Sequence, residues 1–187
     1  MYNIFLIGDS QTDLGFKNGW GNLLKKWYHN KAIVYNKSIC NYTSLMLKDR
    51  LKELVNNQHV DICTILLGSN DCYNFDLYVR PEDYKQNILY IIDQMRHINP
   101  TCIIFLITPP ISNIHMGILC YVSVIYQIIA ERAHITLIDL YHGTNILDST
   151  DLHSDGLHLN DKGNVKIFNK IKDAVEMYLP FIDPSRL

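Results

Sequence analysis

The sequence lacks several features that would assign it to a specialised class of protein. Lys and Arg total 17 against 19 Asp and Glu, so no basic excess predicts binding to nucleic acid or an anionic membrane. No run reaches the roughly 18 apolar residues of a membrane helix, and the apolar run at residues 4–7 is too short for a secretory signal. The five cysteines lack CxxC spacing and paired histidines, which argues against a zinc site or a disulfide framework.

These absences leave a chain of ordinary globular composition, with 187 residues of which 48% are hydrophobic and 19% charged. No stretch rich in Pro, Gly or Ser divides it, so we expect a single domain spanning residues 1–187. An odd number of irregularly spaced cysteines, in a chain without an export signal, predicts reduced and mostly buried thiols. We therefore expect a cytoplasmic protein.

Short apolar runs alternate with helical patterns along the chain. Runs rich in Ile, Val and Leu predict buried strands at residues 2–7, 33–36, 61–67, 102–108 and 135–139. The segments between and after them predict helices at about 20–29, 43–56, 81–97, 116–133 and 161–179, the last opened by Asn160 as N-cap. This alternation implies a parallel sheet with helices on both faces, and such folds bind ligands at the carboxyl ends of the strands.

The first candidate residue is Ser10, in the segment IFLIGDSQTD at the end of the first predicted strand. Gly8 allows a sharp exit from the strand, and Asp9 can brace the turn. A serine hydroxyl at such a turn can act as a nucleophile when a base lies beside it. The same three residues also make an ordinary turn, so this segment alone does not decide between the two interpretations.

The second candidate is Asn70, in the segment LLGSNDC that ends the third strand. Attack on an ester creates a tetrahedral oxyanion, which needs fixed hydrogen-bond donors, and a side-chain amide supplies one. A plain Gly-Ser-Asn-Asp turn is the alternative.

The third candidate pair is Asp155 and His158, in DLHSDGLHLNDKGN before the last predicted helix. His158 can serve as the base for a serine, and Asp155 can accept from its other ring nitrogen. His153 is the rival base, with Asp148 and Asp151 nearby. A metal is not favoured there, because neither a third histidine at ligand spacing nor an HExxH motif occurs.

Taken together, the three segments resemble an SGNH hydrolase of the GDSL type. The matching residues are Gly8-Asp9-Ser10, Gly68-Ser69-Asn70-Asp71 and Asp155-Gly156-Leu157-His158. The segments NYTS, EDYKQNI, ITPP and DGLHLNDKGN are most similar to the isoamyl acetate-hydrolysing esterases of that family. The resemblance implies a three-layer α/β/α sandwich around a mainly five-stranded parallel sheet, the flavodoxin-like fold of SGNH hydrolases.

The resemblance also implies roles for individual residues. Ser10 would be the nucleophile, His158 the general base and then acid, and Asp155 the residue that orients it. The oxyanion hole would consist of the Asn70 amide, the main-chain N–H of Ser10 and the main-chain N–H of Ser38. The reaction would be hydrolysis of a small ester without metal or organic cofactor. The length of 187 residues leads us to expect an open cleft that favours short acyl chains.

Three residues depart from the family pattern. Ser38 replaces a glycine, and serine is strained where glycine would take a positive φ. Gln11 stands where the name-giving leucine often follows Gly-Asp-Ser, and Asp13 replaces an uncharged amide. The same scaffold also allows an acyltransferase, a carbohydrate deacetylase or a binding module without turnover, and Tyr42, Tyr73, Phe75 and Tyr78 are either pocket or core residues.

Overall fold

A parallel sheet of five strands lies at the centre of the protein, in the order β2-β1-β3-β4-β5. A computed structural model describes residues 1–13, 18–72, 77–113, 117–142 and 147–179. The strands agree closely with the predicted ones and span Tyr2–Gly8 (β1), Ala32–Asn36 (β2), Ile62–Leu66 (β3), Ile103–Ile107 (β4) and Ile135–Ile138 (β5). The chain reverses its winding direction between β1 and β3, where folds of this strand order bind ligands.

The helices also follow the predicted pattern, with one addition near the start of the chain. They span Ser10–Asp13 (α1), Trp20–Trp27 (α2), Ser44–Val55 (α3), Pro81–Ile98 (α4), Ile118–Glu131 (α5) and Asp161–Tyr178 (α6), with a 3₁₀ turn at Ser149–Asp151. The predicted N-cap of α6 is confirmed, since the Asn160 side chain accepts a hydrogen bond from Gly163 N. Helix α1 was not predicted because four residues are too few to show a helical period.

Two apolar cores lie on the two faces of the sheet. Alternate residues of β1 point to opposite sides: Phe5 and Ile7 face a core built with α3, α4 and α5, whereas Ile4 and Leu6 face a core built with α2 and α6. This confirms the three-layer α/β/α architecture. It also explains why the strands read as continuous apolar runs, since both of their faces are buried.

The cysteines only partly match the prediction. All five are free thiols, but only Cys63 and Cys102 are buried, while Cys40 and Cys72 are half-buried and Cys120 is exposed. The prediction of mostly buried thiols is therefore wrong, because Cys40 lies between β2 and α3 and Cys120 lies in the first turn of α5 on its solvent side. In the described part of the chain, the helices are too short or too polar to cross a membrane.

Candidate active site

Ser10 lies at the turn from β1 into α1, at the carboxyl edge of the sheet. The exit at Gly8 is tight, since a Cβ there would lie 2.5 Å from Thr12 Oγ1 and 2.8 Å from the main-chain oxygen of Leu66. Asp9 braces the turn, because its Oδ1 accepts a hydrogen bond from Gln11 N at 2.9 Å. The main-chain N–H of Ser10 is the first in the helix, a position without an intrahelical acceptor.

The His158 ring links Ser10 to Asp155 from the opposite end of the chain. Its Nε2 lies 3.1 Å from Ser10 Oγ, and its Nδ1 lies 2.8 Å from Asp155 Oδ2. The other carboxylate oxygen of Asp155 accepts hydrogen bonds from the main-chain N–H groups of Leu157 and His158, at 2.9 and 3.0 Å. The three side chains singled out from the sequence therefore form one continuous hydrogen-bonded series.

The protonation state of Asp155 determines which groups in this series donate hydrogen bonds and which accept them. Partial burial raises the pKa of this carboxyl, but the hydrogen bonds from the His158 ring and the two main-chain N–H groups outweigh burial and lower the pKa to about 2. The carboxylate is thus ionised at neutral pH and can only accept. Nδ1 of His158 consequently carries the proton, which leaves the Nε2 lone pair free for the Ser10 hydroxyl.

Asn70 lies where the chain leaves β3, beside the same edge. Gly68 provides the exit with φ at +124°, and a Cβ there would lie 3.3 Å from both Pro109 and the Tyr84 hydroxyl. One N–H of the Asn70 amide donates to the main-chain oxygen of Tyr42 at 3.0 Å, which fixes the plane of the amide. Its second N–H remains as a donor for a ligand.

A buried polar network, which the sequence analysis did not identify, holds this exit in place. Asp71 is fully buried and accepts from the Ser44 main-chain N–H at 3.0 Å and from its hydroxyl at 2.5 Å. Asn87 in turn donates to the Ser44 hydroxyl at 3.0 Å. In the sequence Asp71 reads as one more polar turn residue, so only its burial reveals that it anchors the Asn70 loop to α3.

Ser38 follows β2 and lies close to the end of the neighbouring strand β1. It lies outside the positive-φ region, so the strain anticipated for serine in place of glycine does not arise. Its main-chain N–H donates to Asn36 Oδ1 at 3.0 Å, and its hydroxyl donates to the Leu6 oxygen at 3.1 Å. The N–H expected to face an oxyanion is thus already engaged within the protein.

His158 occupies the position at the Ser10 hydroxyl that the rival interpretation gave to His153. The main-chain N–H of His153 donates to the His158 oxygen at 2.7 Å, and its side chain is exposed. Asp151 is buried and pairs with Lys166 at 2.6 Å and Lys162 at 3.3 Å, whereas Asp148 caps the 3₁₀ turn. Among the described residues, no group of three His, Cys, Asp or Glu side chains could hold a metal ion.

Two of the four aromatic candidates lie within the described residues. Tyr42 is half-buried against the α3–α5 core, and Tyr78 is exposed. Tyr73 and Phe75, like the side chain of Asp13, lie outside the part of the chain that the structure describes. Their assignment to a pocket or to the core therefore stays a prediction.

Comparisons with known proteins are consistent with this arrangement. A family model described as "GDSL-like Lipase/Acylhydrolase family" matches residues 6–166. A GDSL esterase/lipase of Arabidopsis thaliana is 27% identical over 203 residues, covering 90% of this chain and 83% of that protein. An isoamyl acetate-hydrolyzing esterase 1 homolog of Homo sapiens is 28% identical over 202 residues, covering 92% of this chain and 81% of that protein.

Solved structures share the same fold. The lipase/acylhydrolase from Enterococcus faecalis superimposes with a TM-score of 0.80 at 25% identity, covering 94% of this chain and 96% of that one. A carbohydrate esterase family 3 protein from Talaromyces cellulolyticus has a TM-score of 0.84 at 17% identity, covering 98% of this chain and all of that one. At 17% identity, the second similarity concerns the fold alone.

Proposed function

The chain belongs to the GDSL-like lipase/acylhydrolase family of ester-bond hydrolases, and on this premise we propose that it is a serine esterase that hydrolyses small, short-acyl carboxylic esters. The observation that carries the proposal is the hydrogen-bonded series from Ser10 through His158 to Asp155, with contacts of 3.1 and 2.8 Å. The whole chain, residues 1–187, acts as one hydrolase domain.

The proposed reaction is acyl transfer in two steps. Ser10 Oγ attacks the ester carbonyl carbon while His158 Nε2 takes its proton, and the imidazolium then gives that proton to the departing alcohol. Water attacks the acyl-enzyme by the same route and releases the acid. Asp155 stays ionised throughout and stabilises the imidazolium, consistent with its lowered pKa. The mechanism needs no metal or organic cofactor.

Two donors are proposed to stabilise the oxyanion in each step. They are the second N–H of the Asn70 amide and the main-chain N–H of Ser10, both at the carboxyl edge of the sheet. The Ser38 N–H is proposed as a third donor that must first leave Asn36 Oδ1, since the two are joined at 3.0 Å. A substrate oxyanion can compete for it because it is a stronger acceptor than a neutral amide oxygen.

The preference for small esters is supported by the relatives. One curated relative is named for hydrolysis of isoamyl acetate, an ester with a two-carbon acyl group. We propose that such an ester binds in an open cleft. The partner is a small-molecule ester, with no nucleic acid or membrane involved.

The proposed location is the cytoplasm. Five free cysteines support it, because thiols stay reduced in that compartment.

Turnover of p-nitrophenyl acetate by the purified protein tests the proposal. We expect hydrolysis by the wild type, at least a 10³-fold loss of kcat in Ser10→Ala and in His158→Ala, and labelling of Ser10 by a serine-directed phosphonate. Ser123→Ala is the matched control, because its hydroxyl lies on α5 and only bonds the Leu119 oxygen. A folded wild type without turnover would contradict the proposal.

The same assay separates the remaining alternatives. A chain that binds ester but neither turns it over nor reacts with the phosphonate is a binding module. If an added acceptor alcohol or sugar diverts the acyl group from free acid to a new ester, the protein is an acyltransferase. Faster release of acetate from an acetylated sugar than from p-nitrophenyl acetate indicates a carbohydrate deacetylase.

A further inference from the structure

Gln11 makes a polar contact between the two ends of the chain. Its side chain is 4% exposed, and its Nε2 donates to the main-chain oxygen of Leu157 at 3.0 Å, across a sequence separation of 146 residues. Leu157 directly precedes His158, and Gln11 directly follows Ser10. The position is one where this chain departs from the family pattern, since leucine often stands there and a leucine side chain could not make this bond.

Two further residues, Trp20 and Asn164, extend this contact into a hydrogen-bond network that joins Gln11 to Leu157 and Leu159, which we call the circuit. The indole N–H of Trp20 donates to the main-chain oxygen of Gln11 at 2.8 Å, and the main-chain N–H of Trp20 donates to Asn164 Oδ1 at 3.0 Å. The amide of Asn164 then donates to the main-chain oxygen of Leu159 at 2.9 Å. The residue between the two bonded carbonyls, of Leu157 and Leu159, is His158.

Most of the circuit is shielded from water, and its bond to the Leu157 oxygen is partly buried. Trp20, Leu159 and Asn164 are each at most 5% exposed, so their hydrogen bonds act in a medium of low dielectric constant and have no water to replace them. The segment around His158 has further polar contacts. The His158 oxygen accepts from His153 N at 2.7 Å, and the Gly156 oxygen accepts from Asn113 N at 2.8 Å. Neither of these two contacts involves a residue beside Ser10, whereas the bond from Gln11 to Leu157 does.

We propose that Gln11 is a positioning residue, which fixes His158 at reacting distance from Ser10 through the bond to Leu157 and the circuit completed by Trp20 and Asn164. The inference rests on the proposed esterase function. Because Gln11 acts through the main chain beside His158, its loss lengthens the contact between Ser10 and the imidazole without altering either group. Misplacement of a catalytic group by about 1 Å costs up to about 100-fold in rate.

The first test is Gln11→Leu, which fills the space with the residue that the family often has there. We expect kcat for p-nitrophenyl acetate to fall about 10- to 100-fold and KM to change less than about twofold, because the side chain does not touch the substrate. The rate of Ser10 labelling by a phosphonate should fall by the same factor. Unchanged kcat and labelling, or a change confined to KM, would overturn the inference.

The second test, Gln11→Glu, separates positioning from a general loss of stability. An ionised carboxylate cannot donate to the Leu157 oxygen, whereas a protonated one can. The ratio of variant to wild-type kcat should therefore rise as the pH falls through the titration of this carboxyl. Titratable groups near it in the chain are Asp9 in the same turn, and Asp155 and His158 beside its partner Leu157. A ratio that does not depend on pH would contradict a role for the donor.

Asn99→Leu provides the matched control. Asn99 is also buried, and its amide donates to a main-chain oxygen, that of Val60, at 2.9 Å, but it lies before β4 at the opposite edge of the sheet. We expect it to lower the melting temperature at least as much as Gln11→Leu and to leave kcat unchanged. Equal loss of kcat in both variants would mean that the effect of Gln11 is one of stability alone.

Failure of this inference and failure of the proposed function give different results. Wild-type turnover that Ser10→Ala abolishes supports the esterase, and a fully active Gln11→Leu then overturns the positioning role alone. A wild type without turnover or labelling overturns both. A double variant, Gln11→Leu with Asn164→Leu, should lose less in kcat than the product of the two single losses, because both remove the same circuit.

Discussion

The contact between Ser10 and His158 has an aspartate on each side, and the two carboxyls differ in nearly every respect. Asp9 is fully buried, and burial together with the charge of Asp71 raises its pKa to about 7 despite the hydrogen bond from Gln11 N. Asp155 is about half exposed and accepts three hydrogen bonds, which outweigh its partial burial and lower its pKa to about 2. Sequence position does not separate them, since each lies within three residues of a catalytic candidate.

The comparison shows that donors, more than burial, decide which carboxyl can support an imidazolium. Oδ2 of Asp9 is buried and has no hydrogen-bond partner among the described residues, so nothing at this oxygen compensates for burying the charged form. Asp151 is also buried but keeps a lowered pKa, because the hydrogen bonds from Lys166 and the Asp148 N–H and the positive charge of Lys162 at 3.3 Å outweigh the cost of burial. Burial thus favours the neutral form of Asp9, whereas the two lysines and the Asp148 N–H favour the ionised form of Asp151.

The largest expected effect comes from replacing each of the two aspartates in turn by asparagine and comparing the loss of kcat. Asp155→Asn should lower kcat for p-nitrophenyl acetate by roughly 10³- to 10⁴-fold, because an amide neither stabilises the imidazolium nor fixes its tautomer. Asp9→Asn, the matched control, should keep kcat within about threefold at pH 7, since a neutral group replaces one that is partly protonated there. Comparable losses of activity in both variants would break the comparison.

The next effect concerns stability and its dependence on pH. The pKa of Asp9 is about 7 in the folded protein against 3.8 as its ordinary value, so the folded state binds more protons between these values. Its contribution to stability is therefore fully present below about pH 4 and is lost as the pH rises to about 7. The free energy of unfolding of Asp9→Asn, measured relative to that of the wild type, should be higher at pH 8 than at pH 4 by a few kcal/mol.

Urea denaturation at pH 4, 6 and 8 measures this difference. Asp71, whose pKa burial raises to about 6, contributes a slope of the same sign, so the variant should retain part of the wild-type dependence. Subtracting the two curves isolates Asp9. A difference between variant and wild type that is constant across the range would show that Asp9 titrates at its ordinary pKa.

The smallest expected effect comes from removing one cation beside Asp151. Lys166→Met should lower the free energy of unfolding by about 1–3 kcal/mol at pH 7, because a buried carboxylate loses a charged donor. Lys162→Met should cost less than about 1 kcal/mol, since this lysine is more exposed and lies farther away, at 3.3 Å. Urea denaturation measures both values. Equal losses of unfolding free energy in the two variants, or no loss in Lys166→Met, would contradict the contrast between Asp9 and Asp151.

Most of the fold could be predicted from the sequence, because the strands are buried on both faces and therefore appear as uninterrupted apolar runs. The order β2-β1-β3-β4-β5 was implied only through the family resemblance, since no local pattern records which strands are neighbours. Helix α1 and the 3₁₀ turn were missed because each is at most four residues long and depends on capping by Asp9 and Asp148.

The site was predicted unevenly. Ser10, Asn70, Asp155 and His158 lie in motifs with recognisable chemistry, and three of them form one hydrogen-bonded series. Gln11 is predicted only as a departure from the family pattern. Its partner Leu157 lies 146 residues away, and a local sequence pattern does not reveal so distant a contact. The engagement of the Ser38 N–H by Asn36 was also unpredictable, since it depends on the direction of one amide side chain.

The sequence separation within the site has a consequence for how the protein is made. Ser10 follows the end of β1, and His158 follows Ser10 by 148 residues, so at about 5–20 residues per second a ribosome needs roughly 7–30 s to add the imidazole after the serine. During that interval the Ser10 hydroxyl lacks its contact with His158. Helix α6 must also be synthesised before Ile4 and Leu6 are covered, so the hydrogen-bonded series and the second core are completed by the same late segment of the growing chain.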